Sequence, residues 1–192
     1  MLQLLNNIKS KYGCANLVFL TAAFTFAVLI KLFYRTLESS PGAPGLLLFL
    51  KPLSTIVGLF FGISFGFDAA KGFYNSDLGV VIGASCAGIN FFVIVFCMLA
   101  FTFIRVFKTS WQKAAAFITF IAVSYLLSIF ANTSRIIASI SILEMQILPA
   151  GISSGLVHEA TGILFYLVYL ICGFHIAKII LLKVGSTNET SS

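Results

Sequence analysis

Three side chains able to do chemistry stand in unusually apolar surroundings: Cys86 in GASCAGINFF, Arg135 in ANTSRI and His158 in HEATGILFY. A thiol is a weak nucleophile until it loses its proton. A nearby imidazole can accept that proton, and a cation favours the thiolate. Attack on a carbonyl builds negative charge on oxygen, which a guanidinium stabilises well where water is excluded. The histidine can then protonate a departing amine. Ser85 and Gly88 flank the thiol as small residues that let a substrate backbone approach. Asn132 stands one helical turn from Arg135, where it could orient the guanidinium, bind substrate backbone or simply cap a helix. Each main residue also has an ordinary explanation: Cys86 as small-residue packing, Arg135 as an interfacial charge and His158 as a loop histidine.

The elements that must position these residues are membrane helices. With 59% hydrophobic and 9% charged residues among 192, and a mean hydropathy of +1.06, the chain has too little polar surface for a water-soluble domain. A bilayer core about 30 Å thick takes roughly 20 helical residues per crossing, so an all-α transmembrane bundle of about five to six spans is expected. The net charge of +6 does not point to nucleic acid, because the lysines and arginines are scattered singly, as at the edges of membrane spans.

The hydropathy pattern predicts spans over 16–34, 46–67, 86–104, 114–131 and 161–182. Residues 1–15 form an N-terminal interfacial segment, 16–183 the membrane domain and 184–192 a disordered polar tail. Lys51 and Pro52 fall in the first turns of the second span. The segment 68–85 is too polar and glycine-rich to cross and reads as a loop. The polar group Asn132–Arg135 ends the fourth span, and 136–156 reads as an amphipathic or re-entrant connection. Five crossings gather Lys31, Arg35, Lys51, Arg105, Lys108, Lys113, Lys178 and Lys183 on one face, which the positive-inside rule makes cytoplasmic. Lys9, Lys11, Lys71 and Arg135 fall on the other face, together with Cys86 and His158.

The pieces SCAGINFF, ANTSRI and HEATGILFY, in this order and each at the end of a span, resemble the exosortase/archaeosortase family of membrane transpeptidases, most closely its exosortase K subgroup. The resemblance covers roughly Leu46 to Lys183. It implies Cys86 as nucleophile, Arg135 as stabiliser of the oxyanion or thiolate, and His158 as general acid and base. It further implies a cysteine protease and transpeptidase of the bacterial cytoplasmic membrane with its site facing outward. The partners would be secreted proteins bearing a C-terminal sorting signal, a transmembrane helix and basic residues, their product passing to an envelope acceptor. Family members commonly carry a hydroxyl residue after the cysteine and have about eight spans; this chain has Ala87 and fewer helices.

Neither cofactor nor metal is expected, since no His, Cys or acidic residues share a ligand spacing. Cys97 and Cys172 read as packing residues, Asp68 and Asp77 as solvated loop acids, and His175 as structural. Glu159 adjoins His158 but should point another way. Two other readings of the chain are a noncatalytic scaffold or transporter component, and a purely hydrolytic thiol protease using the same three residues.

Overall fold

The computed structural model describes residues 13–37, 44–104, 106–107, 109–144 and 153–189. The chain forms the expected all-α bundle, with five apolar helices among the described residues. They are α1 (Cys14–Leu37), α2 (Pro44–Phe61), α3 (Ile89–Phe103), α4 (Ser110–Glu144) and α5 (Ser154–Glu189). Windows in α1, α4 and α5 and the segment Ala84–Phe103 are long and apolar enough to cross a membrane, whereas α2 is shorter. Most of the interfacial segment placed at 1–15 lies outside the described residues. Helix α5 runs on to Glu189, past the point where a disordered tail was expected; no proline interrupts it after Lys183.

Helices α1 and α4 run parallel. At one end, near their first residues, the buried Lys113 ammonium donates to Asn16 Oδ1. Higher up, Phe26 and Phe117 pack edge to face, with ring centroids 5.4 Å apart. Helices α3 and α5 return between them, so that Gly173 faces Leu127 and Gly162 faces Arg135. One core cluster, built on Phe91, Phe96, Phe103, Phe120 and Ala177, fills the Lys113 end. A second, built on Leu50, Leu53, Val57, Ile82, Cys86, Ile136 and Ile140, fills the other.

Helix α2 begins where α1 ends, and the Tyr34 hydroxyl donates to the Gly45 carbonyl. It packs on α4 and on the segment leading to Cys86, and so stays at that end of the bundle. The helix stops at Phe61 rather than Phe67 because Gly62 takes a left-handed φ of 69° and Ile63 N–H bonds back to Gly58 O, a C-terminal lock that continues no further. Pro52 lies in the interior of α2, not in its first turn as the sequence suggests. A proline there lacks the N–H that would bond Leu48 O. The Tyr125 hydroxyl of α4 donates to that carbonyl instead, at 2.8 Å.

The segment expected to be a loop folds as a three-stranded antiparallel sheet: β1 (Gly66–Asp68), β2 (Gly72–Asn75) and β3 (Val80–Ile82), in that spatial order. Side chains make its turns. Asp68 Oδ1 accepts from Ala70 and Lys71 N–H, and Asn75 Oδ1 accepts from Leu78 N–H. The strand β3 pairs only with β2 among the described residues and then delivers the chain to a 3-10 turn, Ala84–Cys86.

Two boundaries differ from the sequence reading with consequences for the site. Helix α4 does not stop at Asn132–Arg135 but continues through 136–144, with the polar group in its interior. Its serine and asparagine side chains bond helix carbonyls and neighbouring helices, so no end is forced there. The rest of the proposed connection, residues 145–152, lies outside the described residues. Helix α5 starts at Ser154, which puts His158 inside the helix instead of before it.

The charge grouping changes too. Lys31 and Arg35 line a cavity with Arg135, and Lys51 lines a cleft with Phe65 and Phe73 beside the sheet, so these three cations lie at the Cys86 end and not opposite it. The cause is α2, which does not carry the chain back across the bundle. From Lys113 to Arg135 is about 33 Å along α4 at 1.5 Å per residue, so a hydrocarbon core of about 30 Å fits between them.

Tyr125→Phe should destabilise the protein by about 1–2 kcal/mol by orphaning the Leu48 carbonyl. In a Pro52→Ala background, where residue 52 regains its N–H, the same change should cost much less. A double-mutant cycle of thermal unfolding in detergent measures the difference; equal costs in both backgrounds would contradict the proline account.

Candidate active site

The site grows from a polar stripe on α4 facing a polar stripe on α5. On α4 the residues are Ser128, Asn132, Arg135 and Ser139; on α5 they are His158, Thr161, Gly162 and Tyr166, each set at helical spacing. Ser128 Oγ donates to Gly88 O at 3.0 Å. Asn132 Nδ2 donates to Ser128 O at 2.7 Å, and its Oδ1 accepts from the Tyr166 hydroxyl at 2.6 Å. The Tyr166 ring stacks on Phe91 on one side, at 4.8 Å and 14°. The Arg135 guanidinium lies 5.4 Å from the Tyr166 ring centroid, a cation–π contact. Further along, the hydroxyls of Ser139 and Thr161 are 2.7 Å apart, and Thr161 also reaches the His158 carbonyl at 3.1 Å.

Arg135 is buried, yet its Nε and Nη2 have no hydrogen-bond partner, and among the described residues no carboxylate pairs with it. Gly162 makes room for it: a Cβ there would lie 3.1 Å from Arg135 Cδ and 3.3 Å from Nη1.

Cys86 ends the 3-10 turn that precedes α3, held by Cys86 N–H to Gly83 O at 2.9 Å. It is buried, while His158 is half-buried. Together they line one cavity of about 340 Å³, with Gly79–Ile82 of the edge strand β3, Ser139, Ile140 and Gly155 as other walls. Arg135 lines the adjoining cavity, of about 550 Å³, with Tyr166, Gly88 and Asn90. Ser85 lines both. The three residues thus come to one end of the bundle, but into two neighbouring cavities rather than one chamber.

Gly88 lines the larger cavity, and Asn132 is buried behind it. Gly88 adopts φ 69° at the N-terminus of α3, and a Cβ there would fall inside the Asn132 side-chain amide. Both ends of that amide are engaged within the protein, so Asn132 acts on Arg135 through Tyr166, whose ring it anchors. Ser85 is exposed and open to both cavities. Tyr166 is the residue that sequence reasoning missed. Its signal was present at the end of HEATGILFY, two turns beyond His158 on the same helix face.

Among the described residues no three His, Cys, Asp or Glu side chains gather as for a metal. Glu159 is exposed. Asp68 caps its turn, and Asp77 meets the Ser76 hydroxyl in the next one. His175 packs beside Phe174, more than four turns down α5 from His158.

Comparison with protein-family models, with curated proteins and with solved structures gives no match.

Gly88→Ala should abolish folding or cost several kcal/mol, about the sum of left-handed strain and a steric clash with Asn132. Gly79→Ala, with φ 63° and open space around it, should cost about 1 kcal/mol. Melting temperatures in detergent check the pair, and comparable losses at the two positions would show that Asn132 is not packed against Gly88.

Proposed function

We propose that the chain is a membrane-embedded cysteine protease and transpeptidase of the exosortase/archaeosortase kind. The observation that carries this reading is that Cys86 and His158, 72 residues apart in the sequence, line the same cavity next to a buried guanidinium that has no carboxylate partner among the described residues. His158 takes the proton from the Cys86 thiol, and Sγ attacks the scissile carbonyl carbon. The negative charge that develops on oxygen is stabilised by Arg135, reached past Ser85. The carbon–nitrogen bond then breaks, the leaving amine takes the proton from His158, and a thioester remains on Cys86. An acceptor amine or other nucleophile at the envelope attacks the thioester and restores the thiol.

The substrate is a secreted protein with a C-terminal sorting signal followed by a transmembrane helix. Such a helix diffuses laterally to the bundle, and its extended segment meets the cavity along the open edge of β3. Arg135 stands near the end of α4's hydrocarbon-length stretch, which suits a cleavage point at the membrane–water boundary. The site faces the outer side of a bacterial cytoplasmic membrane.

Co-expression with tail-anchored candidate substrates tests the proposal by immunoblot for processing. Cys86→Ala should abolish cleavage. His158→Ala should slow it by about 10²–10⁴-fold and Arg135→Gln by about 10²–10³-fold, with all three proteins present at wild-type levels. Normal processing by all three variants would leave the bundle a noncatalytic one.

A further inference from the structure

The larger cavity holds a second feature that the thiol chemistry does not use. Lys31 and Arg35, one turn apart on α1, line it together with Arg135, and among the described residues its lining contains no acid. The guanidinium brings two buried nitrogens without partners. The first turn of α3 opens onto the same space through Ile89 and Asn90, and its N-cap, Gly88, supplies no side-chain cap, so this helix end adds its positive dipole. Three cations and a helix N-terminus around about 550 Å³ favour an anion. Leu46, Ile89 and Tyr34 supply an apolar wall, and Arg135 lies about one hydrocarbon thickness along α4 from Lys113, the distance expected between the two membrane–water boundaries.

From this arrangement we infer that the cavity between the end of α1 and the start of α3 binds the phosphate of an anionic membrane lipid. The phosphodiester sits against Lys31, Arg35 and the Arg135 guanidinium, with the glycerol portion against Leu46 and Ile89. A lipid fits better than a soluble anion because the apolar wall adjoins the cationic groups at membrane depth. Lys31, Arg35 and Asn90 do not line the Cys86–His158 cavity, so these three residues test the inference separately from the proposed chemistry, with which it shares Arg135.

Native mass spectrometry of the full chain in detergent, titrated with phosphatidylglycerol, phosphatidylcholine or inorganic phosphate, tests it. The wild type should retain one phosphatidylglycerol saturably, about tenfold more tightly than phosphatidylcholine. The Lys31→Gln/Arg35→Gln double variant, altered only at exposed positions, should bind it about tenfold more weakly. Asn90→Asp, which brings a negative charge to the cavity, should show a similar loss. Cys86→Ala should bind as the wild type does, whatever becomes of its proteolytic role. Equal binding of phosphatidylglycerol by wild type and double variant, no preference over phosphatidylcholine, or no saturable lipid would overturn the inference. Inorganic phosphate bound as tightly as the lipid would overturn it too, by assigning the cavity to a soluble anion.

Discussion

The structure turns on one costly group, the buried guanidinium of Arg135 with no carboxylate beside it among the described residues. Removing a charge from water without a partner costs several kcal/mol in a protein, and a membrane boundary offers little relief. The bundle meets part of that cost through the face of Tyr166, and the rest of the local architecture serves this contact. Phe91 backs the ring, Asn132 holds its hydroxyl, Ser128 and Gly88 hold Asn132, and Gly162 leaves the volume that the arginine occupies. The entry of α3 is therefore tied to the middle of α4 and the start of α5 by one connected set of polar contacts. Cys86 lies two residues before Gly88, so the geometry that seats the arginine also fixes where the thiol emerges.

Arg135 also lines the larger cavity, which takes its character from this guanidinium and from Lys31 and Arg35, while the smaller one takes its character from the thiol and imidazole. Ser85 stands at the partition between them. A cationic space and a nucleophilic space sharing a wall at the membrane boundary is an arrangement in which an anionic headgroup and an extended peptide can be held side by side. Helix α2 contributes by staying at this end, where it roofs the site and supports the sheet whose open edge lines the thiol cavity.

The bundle was legible because hydropathy over twenty residues leaves little choice about helices in a bilayer. The sheet was not, since strands of three and four residues carry almost no periodicity and its turns depend on Asp68 and Asn75 bonding their own backbone. The polar run Asn132–Arg135 misled in an instructive way: polarity inside an apolar helix looks like an end, and only contacts from Tyr166 and Gly88 make it an interior. The fate of Lys31 and Arg35 depended on whether α2 recrosses, which the Gly62 lock and the sheet decide in space. Cys86, Arg135 and His158 could be singled out by residue type, but not the division of their side chains between two cavities.

The most direct test of the account is whether Cys86 and His158 face one another across a single space. In a chain whose only cysteine is Cys86, cadmium ion, which a thiolate and an imidazole bind jointly, should slow maleimide labelling of that cysteine. The account predicts that His158→Ala removes this protection while labelling without cadmium still proceeds. Protection that is absent in the parent chain, or unchanged by His158→Ala, would contradict it.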